Sequence, residues 1–140
     1  MAREVGSKFC ETRLSDDEAA MLSLMTPSLL KAISEAKTRN DMIAKASPGE
    51  KSPFGDGIPY QSFMDGAPAC RAADGKEVPG RTEVELTYSF LDAPDGGWTD
   101  TLVLVAGSDG LLIDDIRFET AVNDTDPIGL RKVLFDAFDQ

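Results

Sequence analysis

The chain has 140 residues, no histidine and two cysteines, and its 14 basic against 25 acidic residues leave a net charge of −11. The lack of histidine excludes Ser-His-Asp and Cys-His catalysis and histidine metal sites, and two cysteines cannot form a zinc site that has only cysteine ligands. An acidic chain is a poor candidate for binding nucleic acid, and no apolar run approaches the roughly 20 residues that span a bilayer. We therefore predict no cofactor, no metal, no nucleic-acid partner and no membrane insertion.

The N-terminal residues predict two helices. Residues 2–14 suit a first helix that turns Phe9 and Leu14 inward. Residues 15–18, Ser-Asp-Asp-Glu, match a capping box, in which the serine oxygen and the glutamate side chain satisfy free amides at a helix start. We expect a second, short helix to begin there and to run through Met25.

Thr26-Pro27 predicts the start of a longer helix, since threonine is a good N-cap and proline at the first helical position loses no hydrogen bond. This helix should end near Ala46. Its buried face follows helical spacing and comprises Leu29, Leu30, Ile33 and Ala36. Residues 48–68 then form a long loop, and its apolar residues indicate that it packs on the body. They are Phe54, Ile58, Tyr60, Phe63 and Met64.

Residues 81–118 predict a β-meander of three antiparallel strands, preceded by a short strand over residues 69–73. The first strand of the meander alternates apolar and polar side chains, so one of its faces is buried. Its apolar residues are Val84, Leu86, Tyr88 and Phe90. The second strand, residues 98–106, is apolar on both faces, which indicates cover on both sides.

Two adjacent acids, Asp114 and Asp115, lie in the third strand, residues 111–118. Strict alternation puts Asp114 on the face of Ile116 and Asp115 on the face of Ile113. The two carboxylates are therefore expected on opposite faces, where they cannot act as a paired acid and base. Asp114, among apolar neighbours, is the better candidate for a base with a pKa raised by burial. The structural alternative is a carboxylate that binds backbone amides of the long loop.

Asp126-Pro127 repeats the cap-and-proline start, and an amphipathic helix of about three turns follows it. Its apolar residues are Leu130, Val133, Leu134, Ala137 and Phe138. This helix should dock on the body or on a second copy, so a homodimer is one predicted assembly. The expected fold is α+β, with N-terminal helices packed on a curved antiparallel β-meander sheet and a C-terminal helix, in one domain over residues 1–140.

Four short motifs over roughly residues 5–118 resemble a known superfamily. They are Leu29-Leu30 after Thr26-Pro27, GDGIPYQSF at 55–63, the strand entry from Trp98 to Leu102, and Gly110 followed by Ile113 to Ile116. The sequence thereby resembles the nuclear-transport-factor-2-like, or cystatin-like cone, superfamily and within it a bacterial family of small envelope proteins of unknown function. The resemblance implies a cone-like domain and export, and it implies no reaction. The helix after Asp124 departs from the basic cone.

Cys10 and Cys70 are the only cysteines, and the sequence alone leaves either two reduced thiols or one bridge. The resemblance, with its implied export, favours a disulfide that ties the first helix to the sheet in an oxidising compartment. We predict a periplasmic or secreted protein, with the cytoplasm as the alternative. The sequence opens without a recognisable signal peptide, so Met1 is either the native start or the start of a trimmed chain.

The candidate binding residues are Tyr88, Trp98, Asp114 and Asp115. The two aromatic side chains either line a pocket or belong to the core. Four further acids lack the spacing of an EF-hand calcium loop and are expected to be solvated turn residues. They are Asp92, Asp95, Asp100 and Asp109.

Three hypotheses about function follow. The first is an exported, non-enzymatic domain that binds an unidentified small molecule or protein. The second is a small cone-fold enzyme that uses one buried carboxylate, Asp114 or Asp115, with Tyr88 or Trp98 on the wall of the cavity. The third is an acidic inhibitor or immunity-type protein, because the net charge of −11 would attract a basic enzyme.

Overall fold

The computed structural model describes residues 2–15, 17–50, 52–54, 60, 69–90, 97–107, 110–118 and 129–136. Their helices and strands are α1 (Ala2–Ser15), α2 (Glu18–Leu22), α3 (Pro27–Ala46), β1 (Ala69–Ala72), β2 (Lys76–Val78), β3 (Arg81–Ser89), β4 (Trp98–Ala106), β5 (Leu111–Arg117) and α4 (Leu130–Asp136). N-terminal helices precede an antiparallel sheet and a short C-terminal helix. The predicted α+β class is confirmed.

The sheet has the order β1-β3-β4-β5, and β2 also pairs with β3. All of these pairs are antiparallel, which confirms the predicted meander of β3, β4 and β5. Strand β2 was not predicted, because its three residues, two of them exposed, are too few to show an alternating pattern. It exists because its backbone pairs with the first half of β3.

One face of the sheet, here called the inner face, carries the core. Its aliphatic residues on the three meander strands are fully buried, namely Val84, Leu86, Leu102, Leu104, Ile113 and Ile116. Helix α1 packs on β1 and β3 and buries Phe9. A Cβ at Gly6 would lie 2.8 Å from Ala72 Cβ and from Val84 Cγ1, so glycine at this position lets α1 approach the sheet closely.

The predicted disulfide is present between Cys10 in α1 and Cys70 in β1, across a sequence separation of 60. Cys10 is buried, whereas Cys70 is half-buried. The bridge therefore fastens the first helix to the outermost strand of the sheet. It fits a protein of an oxidising compartment.

The free edge of β5 is covered at both ends. Thr26 N donates to Ile113 O at 2.9 Å, and Ile113 N donates to Leu24 O at 2.8 Å. At the other end, Gly129 forms an antiparallel bridge with Arg117. These contacts satisfy backbone groups that an edge strand otherwise presents to other chains.

The start of α3 is as predicted, because Thr26 Oγ1 accepts a hydrogen bond from Leu29 N at 3.1 Å and Pro27 occupies the first turn. The predicted capping box of α2 is wrong. Helix α1 continues through Ser15, and Asp17 is the N-cap, with Oδ1 accepting from Ala20 N at 3.1 Å. Leu14 is exposed rather than inward, and the buried residues of α1 are Gly6, Phe9 and Cys10.

Parts of the long loop and of the C-terminal helix bear on the remaining predictions. Phe54 and Tyr60 are buried, as expected for a loop that packs on the body. Ile58, Phe63 and Met64 lie outside the described residues, as do Asp126, Pro127, Ala137 and Phe138. Within α4, Leu130 and Leu134 are buried, and the helix packs against α3 and β5.

Candidate functional site

The two adjacent acids of β5 sit at a β-bulge. Val103 pairs with Asp115, whereas the next residue of β4, Leu104, pairs with Ile113, so Asp114 is an extra residue. Ile113 and Ile116 are both fully buried on the inner face, although they are three residues apart. The prediction that Asp114 and Asp115 lie on opposite faces is wrong, because the extra residue shifts the alternation. Both carboxylates lie outside the core, on the outer side of the sheet.

Asp114 joins the starts of α3 and α4. Its Oδ1 accepts a hydrogen bond from Thr26 Oγ1 at 2.9 Å and one from Arg131 Nη2 at 2.7 Å. Arg131 Nε also donates to the Asp114 carbonyl oxygen at 2.7 Å, and Nη2 donates to Ser28 Oγ at 3.1 Å. The guanidinium of Arg131 therefore neutralises the charge of Asp114, and several acceptors hold that guanidinium in place.

Asp115 binds backbone amides. Its Oδ1 accepts from Ile116 N at 2.9 Å and from Arg131 N at 3.0 Å. Arg131 is the second residue of α4, so Asp115 satisfies an amide that the first turn of a helix leaves free. A Cβ at Gly129 would lie 2.9 Å from Asp115 Oδ2 and 3.0 Å from Ile116 O, so glycine lets the chain pass close to this carboxylate. This carboxylate binds backbone amides, as the structural alternative expected, but they belong to β5 and α4 rather than to the long loop.

The outer side of the sheet carries an open groove of about 390 Å³, here called the outer groove. Its floor contains Val103 and Val105, which are half-buried, and Asp114, Asp115 and Arg131 lie on one side. The apolar outer face of β4 is therefore only partly covered in the described residues. The sequence of β4 had predicted that both faces of this strand would be covered.

The opposite side of the outer groove has two arginines that share one acid. Glu83 Oε2 accepts from Arg81 Nε and from Arg117 Nη2, each at 3.0 Å. Glu83 and Arg117 belong to β3 and β5, which both flank β4, so the Arg117 side chain crosses β4 to reach Glu83. Partial burial alone would raise the pKa of Glu83, but the hydrogen bonds and charges of the two arginines lower it below its ordinary value.

The predicted aromatic residues lie on the inner face. Tyr88 and Trp98 are buried cross-strand neighbours, and their rings stack with centroids 4.7 Å apart. The structure therefore brings Tyr88 together with Trp98, and Asp114 together with Asp115. It does not bring the aromatic pair to the acidic pair, because the two pairs occupy opposite faces of the sheet.

Asp100 is a buried acid on the inner face, which corrects its assignment as a solvated turn residue. It lies in β4, is 1% exposed, and accepts a hydrogen bond from Trp98 Nε1 at 3.1 Å. The signal was present in the sequence, because Asp100 shares its parity with Trp98 and Leu102. Asp92, Asp95 and Asp109 lie outside the described residues.

Two buried tyrosines accompany this acid on the helix side of the sheet. The Tyr88 hydroxyl is buried and has no hydrogen-bond partner among the described residues. Burial, and then the negative charge of Asp100, raise the pKa of Tyr88. Tyr60 donates its hydroxyl to Glu18 Oε2 at 3.2 Å, and burial followed by the charge of Glu18 raises its pKa. Both phenols therefore stay protonated at neutral pH.

Within the described part of the chain, no group of three or more acidic or cysteine side chains is placed to hold a metal ion. None of the helices described is long and apolar enough to cross a bilayer. No known protein family, curated protein or solved structure matches this chain. The resemblance to the nuclear-transport-factor-2-like superfamily stays a prediction.

Proposed function

We propose that this protein is an exported, non-enzymatic binding protein that takes a small ligand in the outer groove. The observation that carries the proposal is the arrangement of Arg81 and Arg117 around one oxygen of Glu83, next to the half-buried valines of β4. A concave surface with an apolar floor and a few convergent polar groups is typical of small-molecule sites. The volume of about 390 Å³ falls in the range of such sites.

Export is supported by the disulfide between Cys10 and Cys70, since such bridges persist in oxidising compartments and are rare in the cytosol. The test is mass spectrometry, under non-reducing conditions, of protein recovered from the cells that produce it. A mass two hydrogens below that of the reduced chain is expected. Two free thiols would contradict export and favour the cytoplasm.

A non-enzymatic role is supported by the contacts of the two acids that were candidates for catalysis. Asp114 is ion-paired with Arg131, and Asp115 binds the amide at the start of α4. Both carboxylates therefore have a structural task that accounts for their position. A general base needs a carboxylate oxygen within reach of a substrate proton, and Oδ1 of each acid already accepts two hydrogen bonds.

The binding role is tested by a fragment screen that follows the ¹H–¹⁵N spectrum of the disulfide-bonded chain. We expect the resonances that shift to cluster at Val103, Val105 and Arg117. Val103→Glu should abolish these shifts, because it places a carboxylate on the apolar floor of the groove. Thr87→Glu, on an exposed outer position of β3, should leave them unchanged. Hits that avoid the groove would contradict the proposed binding site.

A second candidate is an enzyme with one buried carboxylate, and a specific observation favours Asp100 for that role. Asp100 is almost fully buried beside Trp98 and Tyr88, and the Tyr88 hydroxyl lacks a hydrogen-bond partner in the part of the chain that is described. An unpaired buried hydroxyl beside a buried acid is costly in a purely structural core. A panel of hydrolysis and isomerisation assays tests this candidate. Turnover lost in Asp100→Asn but kept in Asp114→Asn would establish it against the binding role.

The acidic-inhibitor hypothesis stays a prediction, and its basis is the net charge of the whole chain, −11. Opposite charge on a partner would speed the encounter, and salt would weaken it. A pull-down from the producing organism at low salt tests this hypothesis. The absence of a basic partner would count against it.

A further inference from the structure

We infer that the outer groove binds a small monocarboxylate that carries a short aliphatic chain. This inference rests on the proposed function and names the chemical class of the ligand. It starts from a local excess of one positive charge on the β3 side of the groove, where Arg81 and Arg117 share the single carboxylate of Glu83. A ligand with one negative charge would balance this cluster.

The two guanidinium groups have donors left for a ligand. A guanidinium carries five N–H donors in a planar fork. The contacts of the described residues use one donor of Arg81 and one of Arg117, both on Glu83 Oε2. Their side chains are 43% and 34% exposed, so a ligand can reach them. A carboxylate suits them because it accepts two parallel hydrogen bonds from one guanidinium.

The aliphatic part of the ligand would lie on Val103 and Val105. Both side chains are on the outer face of β4, in the groove and only half-buried. Arg117 crosses β4 to reach Glu83, so its guanidinium and the valine floor belong to one surface. A short aliphatic chain would cover the valines while its carboxylate meets the arginines.

The opposite side of the groove limits the charge of the ligand. Asp114 is paired with Arg131, whereas Asp115 binds amides and, among the described residues, no cation. A second negative charge on the ligand would meet the carboxylate of Asp115. The groove therefore favours a monocarboxylate over a dicarboxylate or a phosphate dianion.

The test is a titration of the disulfide-bonded chain with isovalerate, followed by ¹H–¹⁵N spectra. Saturable shifts are expected at the Val103 and Val105 amides and at Arg117 Nε. Isovaleramide, which has the same shape without the charge, and succinate and inorganic phosphate should each bind at least about tenfold more weakly. Arg117→Leu should weaken isovalerate binding by about tenfold or more. Arg71→Leu, which removes an exposed arginine of β1, is the matched control and should leave it unchanged.

Equal binding of isovalerate and isovaleramide would overturn the carboxylate class, as would unchanged affinity in Arg117→Leu. Neither result would contradict the binding role of the groove, because the fragment screen tests that role separately. The lack of any groove shift with isovalerate would also overturn this inference. If the fragments also avoid the groove, the proposed binding site is contradicted at the same time.

Discussion

The two faces of the sheet differ in where they place the side chains that depart from the general polarity of the face. The inner face is apolar, and its polar exceptions, Asp100 and the Tyr88 hydroxyl, are buried against the helices. The outer face is mostly polar, and two of its apolar residues, Val103 and Val105, lie half-buried in an open groove. On each face, the residues that break the alternating pattern are those that point to chemistry or binding. A polar group on the inner face must therefore find its partner inside the protein, whereas apolar side chains on the outer face stay accessible to a ligand.

The largest effect is expected from the disulfide, which holds α1 against the inner face. The bridge closes a loop across a separation of 60 residues. Loop-closure entropy for that length corresponds to roughly 4 kcal/mol of unfolding free energy. Reduction should lower the melting temperature by roughly 10–15 °C, measured by thermal unfolding with and without reductant. The double variant Cys10→Ser/Cys70→Ser should have a melting temperature close to that of the reduced protein, and reductant should not change it. An unchanged melting temperature when the wild-type protein is reduced would contradict the prediction.

The same substitution made on each face measures how closely the side chains of that face are packed. Val84 is fully buried on the inner face, whereas Val103 is half-buried on the outer face. Val84→Ala should reduce the free energy of unfolding by about 2 kcal/mol, because it leaves a cavity in the core, and Val103→Ala by less than about 1 kcal/mol. Urea denaturation measures both values. Equal losses would show that the outer face is as closely packed as the inner one.

Removing the carboxylate of Asp115, which binds the start of α4, should destabilise the protein by a smaller amount. Asp115→Ala removes the acceptor of the Arg131 amide and should cost about 1–2 kcal/mol of unfolding free energy. Hydrogen exchange should speed up at the amides of α4 more than at those of β3, because the loss is local. Glu85→Ala, at an exposed position of the same face, is the control and should change stability by less than about 0.5 kcal/mol. Unchanged exchange in α4 would contradict this role of Asp115.

The smallest effect concerns the pH dependence of the Glu83 cluster. Partial burial would raise the pKa of Glu83, but its hydrogen bonds to the two arginines and their charges lower it below its ordinary value of 4.5. Its contribution to stability is therefore present above the pKa of the unfolded chain and is lost as the pH falls through the lower pKa of the folded state. The urea midpoint should fall between about pH 5 and pH 3, and by less in Glu83→Gln. Identical pH profiles for the two proteins would contradict the ion-pair assignment.

Much of the fold was predictable because it follows from local patterns. Alternation in β3 identified its buried face, and Thr26-Pro27 identified the start of α3. The capping box at α2 failed because Ser15 and Asp17 are both good caps, and the choice depends on where α1 stops packing on the sheet. The sequence predicted the residue types of the candidate site but not their grouping.

Residue identity and short-range periodicity are enough to predict the helix and strand types, two cysteines able to pair and the absence of histidine chemistry. Which acids lie next to each other depends instead on contacts between residues that are distant in the sequence. The bulge in β5 depends on how β5 pairs with β4, and the position of Asp115 depends on the arrival of α4. One extra residue in a strand changes no local propensity, yet it moves every later side chain to the other face. That shift placed Asp115 on the outer side of the sheet together with Asp114, whereas Asp100 is buried on the inner face because it shares the parity of Trp98 and Leu102 in β4.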